Sequence, residues 1–584
     1  MGNVNIKING IDYSVPNGIT ILEAARMVGI RIPTLCYLKD INAIGACRIC
    51  VVEVKGARSL VASCVYPVNE GIEITTNSPN VIKSRRTTLE LILSDHKKEC
   101  LSCVRSQNCE LQALCKEYNV DENRFQGEMN RFELDATAPH MVRDNEKCIL
   151  CRRCVAACSQ LQSVSVIGAN HRGFKTAIGS PFEAGLGEVA CVNCGQCIAV
   201  CPTGALTERD DTQKVFDALS DPDKHVIVQT APSIRVGLGE EFGMPIGSLV
   251  TGKMVTGLKM LGFDGVFDTN FTADLTIMEE ATEFLDRYTK KENLPLITSC
   301  SPGWVKFAEH NYPELIPNIS SCKSPQGMFG AVAKTYYAEK MGLDPKDIYV
   351  VSIMPCTAKK FEAERMDHTA VKGLPDIDAA LTTRELARMF RKAGIMFADL
   401  PDSDFDAPFG LGTGAGTIFG ATGGVMEAAL RTAYEVVTKG NLDDEALDIT
   451  FTAVRGTDGI KEAEYDLAGN KVRVAVASGL ANARQLLDLV KSGEKQYDFI
   501  EIMACPGGCV YGGGQPIKSA DVRNFTDVKA IRAAALYEDD KNLPLRKSHD
   551  NPDVKRIYEE YFGEPNSHKA HEILHTGYTV RSKF

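Results

Sequence analysis

Two cysteine runs of identical spacing constrain this chain more than any other feature of its sequence. The spacing is C-x2-C-x2-C-x3-C, formed first by Cys148, Cys151, Cys154 and Cys158, then by Cys191, Cys194, Cys197 and Cys201. Thiolates at this spacing hold 4Fe–4S clusters, and where two runs occur the fourth cysteine of each run binds the other cluster. We therefore predict one cluster on Cys148, Cys151, Cys154 and Cys201 and a second on Cys191, Cys194, Cys197 and Cys158.

These runs fall in residues 138–212, which we predict to be a two-cluster domain resembling bacterial ferredoxins. Residues 1–80 carry a different pattern, C-x10-C-x2-C-x13-C, formed by Cys36, Cys47, Cys50 and Cys64. A single cysteine, a close pair and a distant fourth are typical of 2Fe–2S ferredoxins. Two short alternating strands around Asn9–Gly10, a hairpin signal, precede an amphipathic stretch at Ile21–Val28. We expect a β-grasp domain that binds a 2Fe–2S cluster.

Residues 81–120 contain a mixed histidine and cysteine motif. Its spacing is H-x3-C-x2-C-x5-C, formed by His96, Cys100, Cys103 and Cys109. Three cysteines and one histidine also form ordinary zinc sites, so zinc is the alternative. The position between two iron–sulfur domains favours a 4Fe–4S cluster with one histidine ligand. A neutral imidazole in place of a thiolate raises the reduction potential of a cluster.

Residues 213–584 have the strand and helix pattern of an α/β catalytic domain. Together with the N-terminal iron–sulfur domains, this predicts an α+β multidomain protein. Apolar strands alternate with helices, which predicts parallel sheets, and ligands in such folds bind at the carboxyl ends of the strands. Three cysteine-containing loops follow apolar runs: Leu296–Pro302, Ser352–Glu362 and Glu501–Pro516. Soft metals favour such thiols, and glycines in the last loop let the backbone approach a bound group. Two buried structural cysteines are the alternative for that loop.

Composition excludes several classes of function. A net charge of −11 without a basic stripe argues against a nucleic-acid partner. No apolar run approaches the roughly 18 residues of a membrane span. Because the N-terminus does not resemble a secretory signal, the 21 cysteines indicate metal clusters in a reducing cytoplasm and not disulfide bonds.

The three loops, read as LITSCSP, SIMPCTAKKFE and EIMACPGGCVYGGGQP, resemble those of the FeFe hydrogenases. The likeness extends over essentially the whole chain. That family carries an H-cluster, a 4Fe–4S cubane bridged by a cysteine thiolate to a diiron unit with carbonyl, cyanide and dithiolate ligands. The resemblance implies that Cys356 and Cys505 bind the cubane, that Cys509 carries the bridge, and that Lys359 hydrogen-bonds a cyanide, with Glu362 in the same catalytic set.

The resemblance also implies a pocket and a proton relay. Ala231, Pro232 and Ser233 match the pocket for the second cyanide, and the residues that pack around the diiron unit match Gln326, Met354, Phe419 and Met503. The relay positions match Cys300, Glu280, Ser320, Glu283 and Arg287. Glu280 and Glu283 share one face if their segment is helical, and a buried carboxyl with a raised pKa passes protons near neutral pH. Exposed helical glutamates are the alternative.

One position departs from the family pattern. The first loop of the family normally reads TSCCP, whereas this chain has Cys300 followed by Ser301. Neutral serine is a poor ligand for iron that prefers thiolate. Three outcomes are open: Ser301 binds as an alkoxide, Cys300 takes over ligation at the expense of the relay, or the H-cluster is incomplete. Cys322 is a remote candidate for a substitute ligand.

By resemblance, the chain oxidises H2 and reduces protons, with electrons passing through one 2Fe–2S and three accessory 4Fe–4S clusters. No clear nucleotide-binding G-x-G-x-x-G motif is present, so any NAD(P) reaction requires another subunit. We expect the catalytic subunit of a cytoplasmic, electron-bifurcating complex with ferredoxin and flavin-containing NAD(P)-binding partners. The alternatives are a free-standing ferredoxin hydrogenase, a hydrogenase-like sensor, and an iron–sulfur assembly or electron-transfer protein that lacks a complete H-cluster because of Ser301.

Overall fold

The N-terminal part of the chain forms a small mixed sheet. The computed structural model describes residues 2–440 and 442–583. The strand order is β2-β1-β5-β3-β4, with β1 (Asn3–Ile8), β2 (Ile11–Pro16), β3 (Val51–Val54), β4 (Val61–Ala62) and β5 (Glu73–Thr75). Strands β1 and β2 form an antiparallel hairpin at the Asn9–Gly10 turn. Helix α1 (Ile21–Met27) begins with a capping box between Thr20 and Glu23.

Short elements carry the next two cysteine groups. Helices α2 (Pro79–Ser94) and α3 (Glu110–Glu117) flank the histidine-containing motif. Two antiparallel pairs follow, β6 (Met141–Arg143) with β9 (Leu206–Glu208), and β7 (Gly168–Asn170) with β8 (Ala177–Gly179). Helices α4 (Arg153–Ala156) and α5 (Gln196–Val200) each contain the third cysteine of a ferredoxin-type run.

The catalytic region contains two four-stranded sheets. The first is wholly parallel in the order β11-β10-β13-β14, with β10 (His225–Thr230), β11 (Gly265–Asp268), β13 (Ile348–Met354) and β14 (Ala379–Thr382). The second has the order β12-β17-β16-β15, with β12 (Leu296–Ile297), β15 (Ile460–Leu467), β16 (Asn470–Ser478) and β17 (Phe499–Met503).

The second sheet differs from the expected parallel arrangement at its edge. Strand β15 pairs antiparallel with β16, whereas β12, β17 and β16 are mutually parallel. The connection is the two-residue turn Ala468–Gly469, and both residues have positive φ, 52° and 86°. A two-residue turn of this conformation directs the chain back into a tight hairpin, so the local turn determines the strand direction.

Helices surround and separate the two sheets. They are α6 (Thr212–Leu219), α7 (Thr251–Leu261), α8 (Thr269–Lys290), α9 (Pro302–Asn311), α10 (Pro325–Val332), α11 (Ala338–Met341), α12 (Ala358–Ala363), α13 (Thr383–Lys392), α14 (Gly414–Ile418), α15 (Gly424–Thr438), α16 (Asp444–Thr450), α17 (Leu480–Lys491), α18 (Ala520–Arg523), α19 (Val528–Asn542), α20 (Pro552–Ile557) and α21 (His568–Leu574). Among the described helices, none combines the length and apolar composition that crossing a membrane requires.

Helix α8 lies between the two sheets. Phe271 and Leu275 pack into the core beneath the first sheet, and Ala273 and Ile277 pack into the core beneath the second. Most of its 22 residues are therefore buried, including Glu279, Glu280 and Glu283. A helix buried on nearly all sides holds its side chains in fixed positions, which makes α8 a rigid support for the polar groups described below.

Candidate active site

Loops from both sheets meet at one buried point. Cys356 follows β13 of the first sheet, and Cys505 follows β17 of the second. Their thiols are nevertheless close enough to interact, and the interaction with Cys505 lowers the pKa of Cys356, with the charge of Lys359 acting in the same direction. The carboxyl ends of parallel strands are the expected place for a ligand in such a fold.

Glycines allow the Cys505–Cys509 loop to lie against its neighbours. Gly508 has a φ of 93°, and a Cβ there would be 2.6 Å from the backbone nitrogen of Thr422. A Cβ on Gly512 would be 2.2 Å from the carbonyl oxygen of Pro355, directly before Cys356. Only glycine fits at such distances, so the glycine-rich sequence serves a close approach of backbone segments.

Ser301 and Cys300 face different neighbours. The Ser301 hydroxyl oxygen accepts a hydrogen bond of 3.1 Å from the backbone nitrogen of Ala504, next to Cys505. Burial raises the pKa of the Cys300 thiol, and the nearby negative charges of Glu280 and Cys509 raise it further. Ser301 is thus directed toward the Cys505 loop and Cys300 toward Glu280. Cys322 instead places its sulfur 3.7 Å from a Glu283 carboxylate oxygen.

The predicted diiron pocket is buried and holds unpartnered polar atoms. All seven residues are buried: Ala231, Pro232, Ser233, Gln326, Met354, Phe419 and Met503. The Ser233 hydroxyl and the Gln326 side-chain oxygen have no hydrogen-bond partner among the described residues. Buried polar atoms of this kind are normally satisfied, so these two atoms fit a bound group with polar ligands.

Lys359 lies in a buried ion pair beside this pocket. Its ammonium donates to a Glu362 carboxylate oxygen at 2.8 Å and to the Ser324 hydroxyl at 2.7 Å. The Gln326 side-chain nitrogen donates to the same Glu362 oxygen at 2.9 Å. An ammonium has three donors, so two are used here and one is available to a ligand. The donor set therefore fits the cyanide contact that the sequence predicts.

The five predicted relay residues come from α8, from the loop before α9, which contains Cys300, and from the segment after α9, which contains Ser320. Burial raises the pKa of Glu280 to about 8, against the opposing effect of the nearby Ser320 hydroxyl. Ser320 donates to a Glu283 carboxylate oxygen at 3.0 Å. Arg287 donates to the other Glu283 oxygen at 2.6 Å. Glu280 and Glu283 are buried, unlike the exposed glutamates of the alternative interpretation.

The second ferredoxin-type run contacts the candidate site directly. A Cβ on Gly513 would be 2.4 Å from the carbonyl oxygen of Cys194. The Thr357 hydroxyl, next to Cys356, donates to the Asn193 carbonyl oxygen at 2.7 Å. The charge of Cys194 also contributes to the raised pKa of Cys505. A cluster on this run would therefore be the last one before the active site.

Within the ferredoxin-like domain, the thiols group as the crossed assignment requires. Burial raises the pKa of the Cys154 thiol, and the charges of Cys151, Cys148 and Cys201, followed by Cys197, raise it further. On the other side, Cys194, Cys191 and Cys158 raise the pKa of Cys197 in the same way. The last cysteine of each run thus lies with the first three of the other run.

The structure brings thiols of the 2Fe–2S motif together and buries the histidine of the remaining motif. Cys36 and Cys47 form a hydrogen-bonded thiol pair, and the sulfurs of Cys50 and Cys64 lie 3.4 Å apart. His96 is buried, and its Nδ1 atom has no partner among the described residues. Burial lowers the pKa of His96 to about 4, so the ring is neutral, as a metal ligand must be.

The histidine-containing group faces the ferredoxin-like domain. A Cβ on Gly204 would be 2.7 Å from the Cys103 sulfur, and the Cys109 sulfur lies 3.6 Å from the Pro202 carbonyl oxygen. Cys100 is exposed. This group therefore lies between solvent and the cluster site that includes Cys201. Cys115, outside the motif, is half-buried.

Sequence reasoning missed several residues that contact the site. Gln515 donates from its side-chain nitrogen to the Ser233 carbonyl oxygen at 2.9 Å, which links the glycine-rich loop to the first sheet. Ser321 and His575 extend the relay network, with 2.8 Å between the Ser321 hydroxyl and the ring Nδ1. The GGGQP motif includes Gln515, but no local pattern marks His575, because it joins α8 only in the folded chain.

Family comparisons assign this arrangement to a class. The region 224–513 matches a model for the iron only hydrogenase large subunit, C-terminal domain, and 526–581 matches one for the iron hydrogenase small subunit. A 2Fe-2S iron-sulfur cluster binding domain matches 2–79, an NADH-ubiquinone oxidoreductase-G iron-sulfur binding region matches 85–124, and a 4Fe-4S dicluster domain matches 147–205. Fold and site define an iron–sulfur oxidoreductase.

Full-length relatives identify the family. NADP-reducing hydrogenase subunit HndD from Solidesulfovibrio fructosivorans is 49% identical, with 100% of both chains covered. Iron hydrogenase 1 from Clostridium pasteurianum is 46% identical over 98% of this chain and 99% of its own length. A solved FeFe-hydrogenase structure from Chlamydomonas reinhardtii is 44% identical, with a TM-score of 0.56 and coverage of 63% of this chain and 99% of that one. The chain belongs to the FeFe hydrogenase family.

The family assignment confirms the main predictions from sequence. The chain is an FeFe hydrogenase with accessory iron–sulfur domains at its N-terminal end and a mixed α/β catalytic domain. The roles of individual residues remain predictions.

Proposed function

We propose that this enzyme interconverts H2 with protons and electrons at an H-cluster held by Cys356, Cys505, Cys509 and Ser301. The observation that carries the proposal is the convergence of the Cys356 and Cys505 thiols from two different sheets. When bound, the H-cluster supplies the iron centre at which H2 is cleaved or formed. Lys359 and the Ser233 hydroxyl would hold its cyanide ligands, and the buried pocket would exclude water.

Protons and electrons would approach the site from opposite directions. On one side, the raised pKa of Glu280 suits it to exchange protons with Cys300 near neutral pH. On the other side, the Cys194 loop contacts the glycine-rich loop and would deliver electrons. We propose that the 2Fe–2S group, the His96 group and the two ferredoxin-type groups each hold one cluster, so electrons have a continuous path from the surface.

We further propose that Ser301 keeps the ligand position and Cys300 keeps the relay position. The Ser301 hydroxyl contacts the backbone beside Cys505, and the Cys300 thiol responds to Glu280. Each orientation supports a separate role. Oxygen is a harder ligand than sulfur, so we expect the cubane to be held less firmly than by four thiolates.

The partners follow from the similarity to the NADP-reducing subunit. We propose a complex in which flavin-containing, NAD(P)-binding subunits and ferredoxin exchange electrons with the accessory clusters. A free-standing ferredoxin hydrogenase is the second candidate, favoured by the full-length similarity to iron hydrogenase 1. An assembly or electron-transfer role is the third, because Protein NAR1 from Arabidopsis thaliana is 31% identical over 66% of this chain and 84% of its own length.

Hydrogen turnover by the anaerobically matured chain tests the proposal. Reduced viologen should support H2 production by the chain alone. H2-dependent reduction of NAD(P)⁺ should require the flavin-containing partner. A chain that contains all accessory clusters yet neither produces nor consumes H2 would support the assembly or electron-transfer role instead.

A further inference from the structure

The predicted relay ends at a group that does not release protons. Arg287 donates to Glu283 at 2.6 Å and to the carbonyl oxygen of Pro317 at 3.1 Å. A guanidinium has only donors and stays protonated in proteins. Arg287 therefore orients Glu283, but a proton that leaves Glu283 needs another group that changes its protonation state.

A buried histidine lies next to Glu283. The Ser321 hydroxyl is 3.2 Å from a Glu283 carboxylate oxygen and 2.8 Å from the Nδ1 atom of His575. A carboxylate oxygen of Glu283, the sulfur of Cys322 and a ring nitrogen of His575 all lie within 4.8 Å of one another. An imidazole ring accepts a proton at one nitrogen and donates one from the other. Ser321 thus connects the relay to a group suited to proton exchange.

Glu279 favours the tautomer of His575 that carries its hydrogen on Nε2. The Nε2 atom of His575 is 3.0 Å from a Glu279 oxygen. The same carboxylate accepts from the Tyr558 hydroxyl at 2.5 Å and from the backbone nitrogen of Asn566 at 2.8 Å. Glu279 therefore serves as an acceptor, so the Nε2 atom carries the ring hydrogen. Nδ1 is then the free acceptor that faces Ser321.

We propose that His575 carries protons between Glu283 and solvent through the Ser321 hydroxyl, an inference that rests on the proposed relay. Protonated Glu283 donates to the Ser321 oxygen while the original Ser321 hydrogen passes to Nδ1 of His575. The products are a Glu283 carboxylate, a neutral Ser321 hydroxyl and a His575 imidazolium paired with Glu279. The imidazolium then gives one ring proton to a solvent water, which restores neutral His575 and completes the transfer. Proton uptake follows the same steps in reverse.

The surroundings of His575 lead to the surface. Its ring lies against that of the exposed His571, with 4.0 Å between centroids and 32° between the ring planes. The groups that face His575 are Glu279 and Glu283 from α8, Cys322 from the loop before α10, and His571 from α21, the helix that ends directly before His575. His575 itself is 8% exposed. It thus lies just beneath the surface, with a Glu279 carboxylate oxygen 3.0 Å from its Nε2 atom and a Glu283 oxygen within 4.8 Å of a ring nitrogen.

Variants of the matured enzyme test this exit. His575→Ala should lower H2 production and oxidation about tenfold or more, as loss of a proton-transfer group does, and should change the pH profile. Free imidazole should restore part of the activity, and the infrared spectrum of the diiron unit should be unchanged. Ser321→Ala should give the same loss with His575 in place. His568→Gln, on the exposed face of α21, is the matched control and should retain activity.

The outcomes separate the exit from the relay. Activity within twofold of wild type and an unchanged pH profile for both His575→Ala and Ser321→Ala would overturn the inference. If Glu283→Gln is inactive in that experiment, only the His575 exit is wrong. If Glu283→Gln is also fully active, the proposed relay fails as well. His575 would have only a structural role if two results occur together: His575→Ala loses activity that imidazole does not restore, and Ser321→Ala is fully active.

Discussion

The Ser301 hydroxyl oxygen accepts a hydrogen bond of 3.1 Å from the backbone nitrogen of Ala504. This contact joins the first cysteine-containing loop to the residue directly before Cys505. A serine in this position presents an oxygen where the family presents a thiolate. Under the proposed ligand assignment, three sulfur donors and one oxygen donor would hold the cubane, and Cys300 would be left free for proton transfer.

Substitution of Ser301 should change how firmly the cubane is held. Ser301→Cys should bind the cubane at least as fully as wild type, because thiolate is the preferred ligand of iron–sulfur iron. Ser301→Ala should lose most of the cubane iron. Iron-to-protein ratios and electron paramagnetic resonance spectra measure both. Cys300→Ala is the control and should retain the cubane. If the cubane is instead lost from Cys300→Ala and fully retained in Ser301→Ala, Cys300 is the ligand.

Glu280 should determine the alkaline limit of proton delivery. Its pKa is raised from 4.5 to about 8 by burial, so the carboxyl is protonated below about pH 8 and becomes a buried charge above it. H2 production should therefore fall as the pH rises through 8, and the Glu280 contribution to folding stability should also decline as the pH rises from 4.5 to 8.

The pH profile of a Glu280 variant checks this assignment. Glu280→Gln should lower activity at least about 100-fold and remove the alkaline limb, because the amide does not exchange a proton. Glu280→Asp should retain part of the activity and a similar limb. An alkaline limb that persists unchanged in Glu280→Gln would assign it to another group.

His96 should control both the presence and the potential of one accessory cluster. His96→Ala should lose the iron of one 4Fe–4S cluster and leave the other accessory clusters intact. His96→Cys should retain the cluster at a lower reduction potential, because a thiolate adds negative charge. Redox titration followed by electron paramagnetic resonance measures the shift. Zinc in the wild-type site, with no change in iron content for His96→Ala, would contradict a cluster there.

Gly513 should be required for electron transfer to the active site. A Cβ there would be 2.4 Å from the Cys194 carbonyl oxygen, and this glycine has no positive φ, so the effect of alanine is steric. Gly513→Ala should slow the reduction of accessory clusters by H2 about fivefold or more. Gly127→Ala, where no atom lies within 4 Å, is the control. Equal rates for both variants would show that the contact is not needed.

The sequence predicted those features that depend on local spacing. The ferredoxin-type runs, the Asn9–Gly10 hairpin and the strands that precede Cys356 and Cys505 are all encoded within a few residues. Glu280 and Glu283 were predicted to share a helix face, but their burial depends on the packing of α8 between two sheets. His575 was not recognised, because its contact with Ser321 joins positions 254 residues apart.

The infrared spectrum of the anaerobically matured chain tests the central claim most directly. Metal carbonyl and cyanide stretches appear in a region where protein is nearly silent. We predict clear diiron bands in wild type, shifted in Ser301→Cys because the ligand at that position changes from oxygen to sulfur. Absence of these bands from a chain with intact accessory clusters would contradict the account and leave an electron carrier without a hydrogen-converting site.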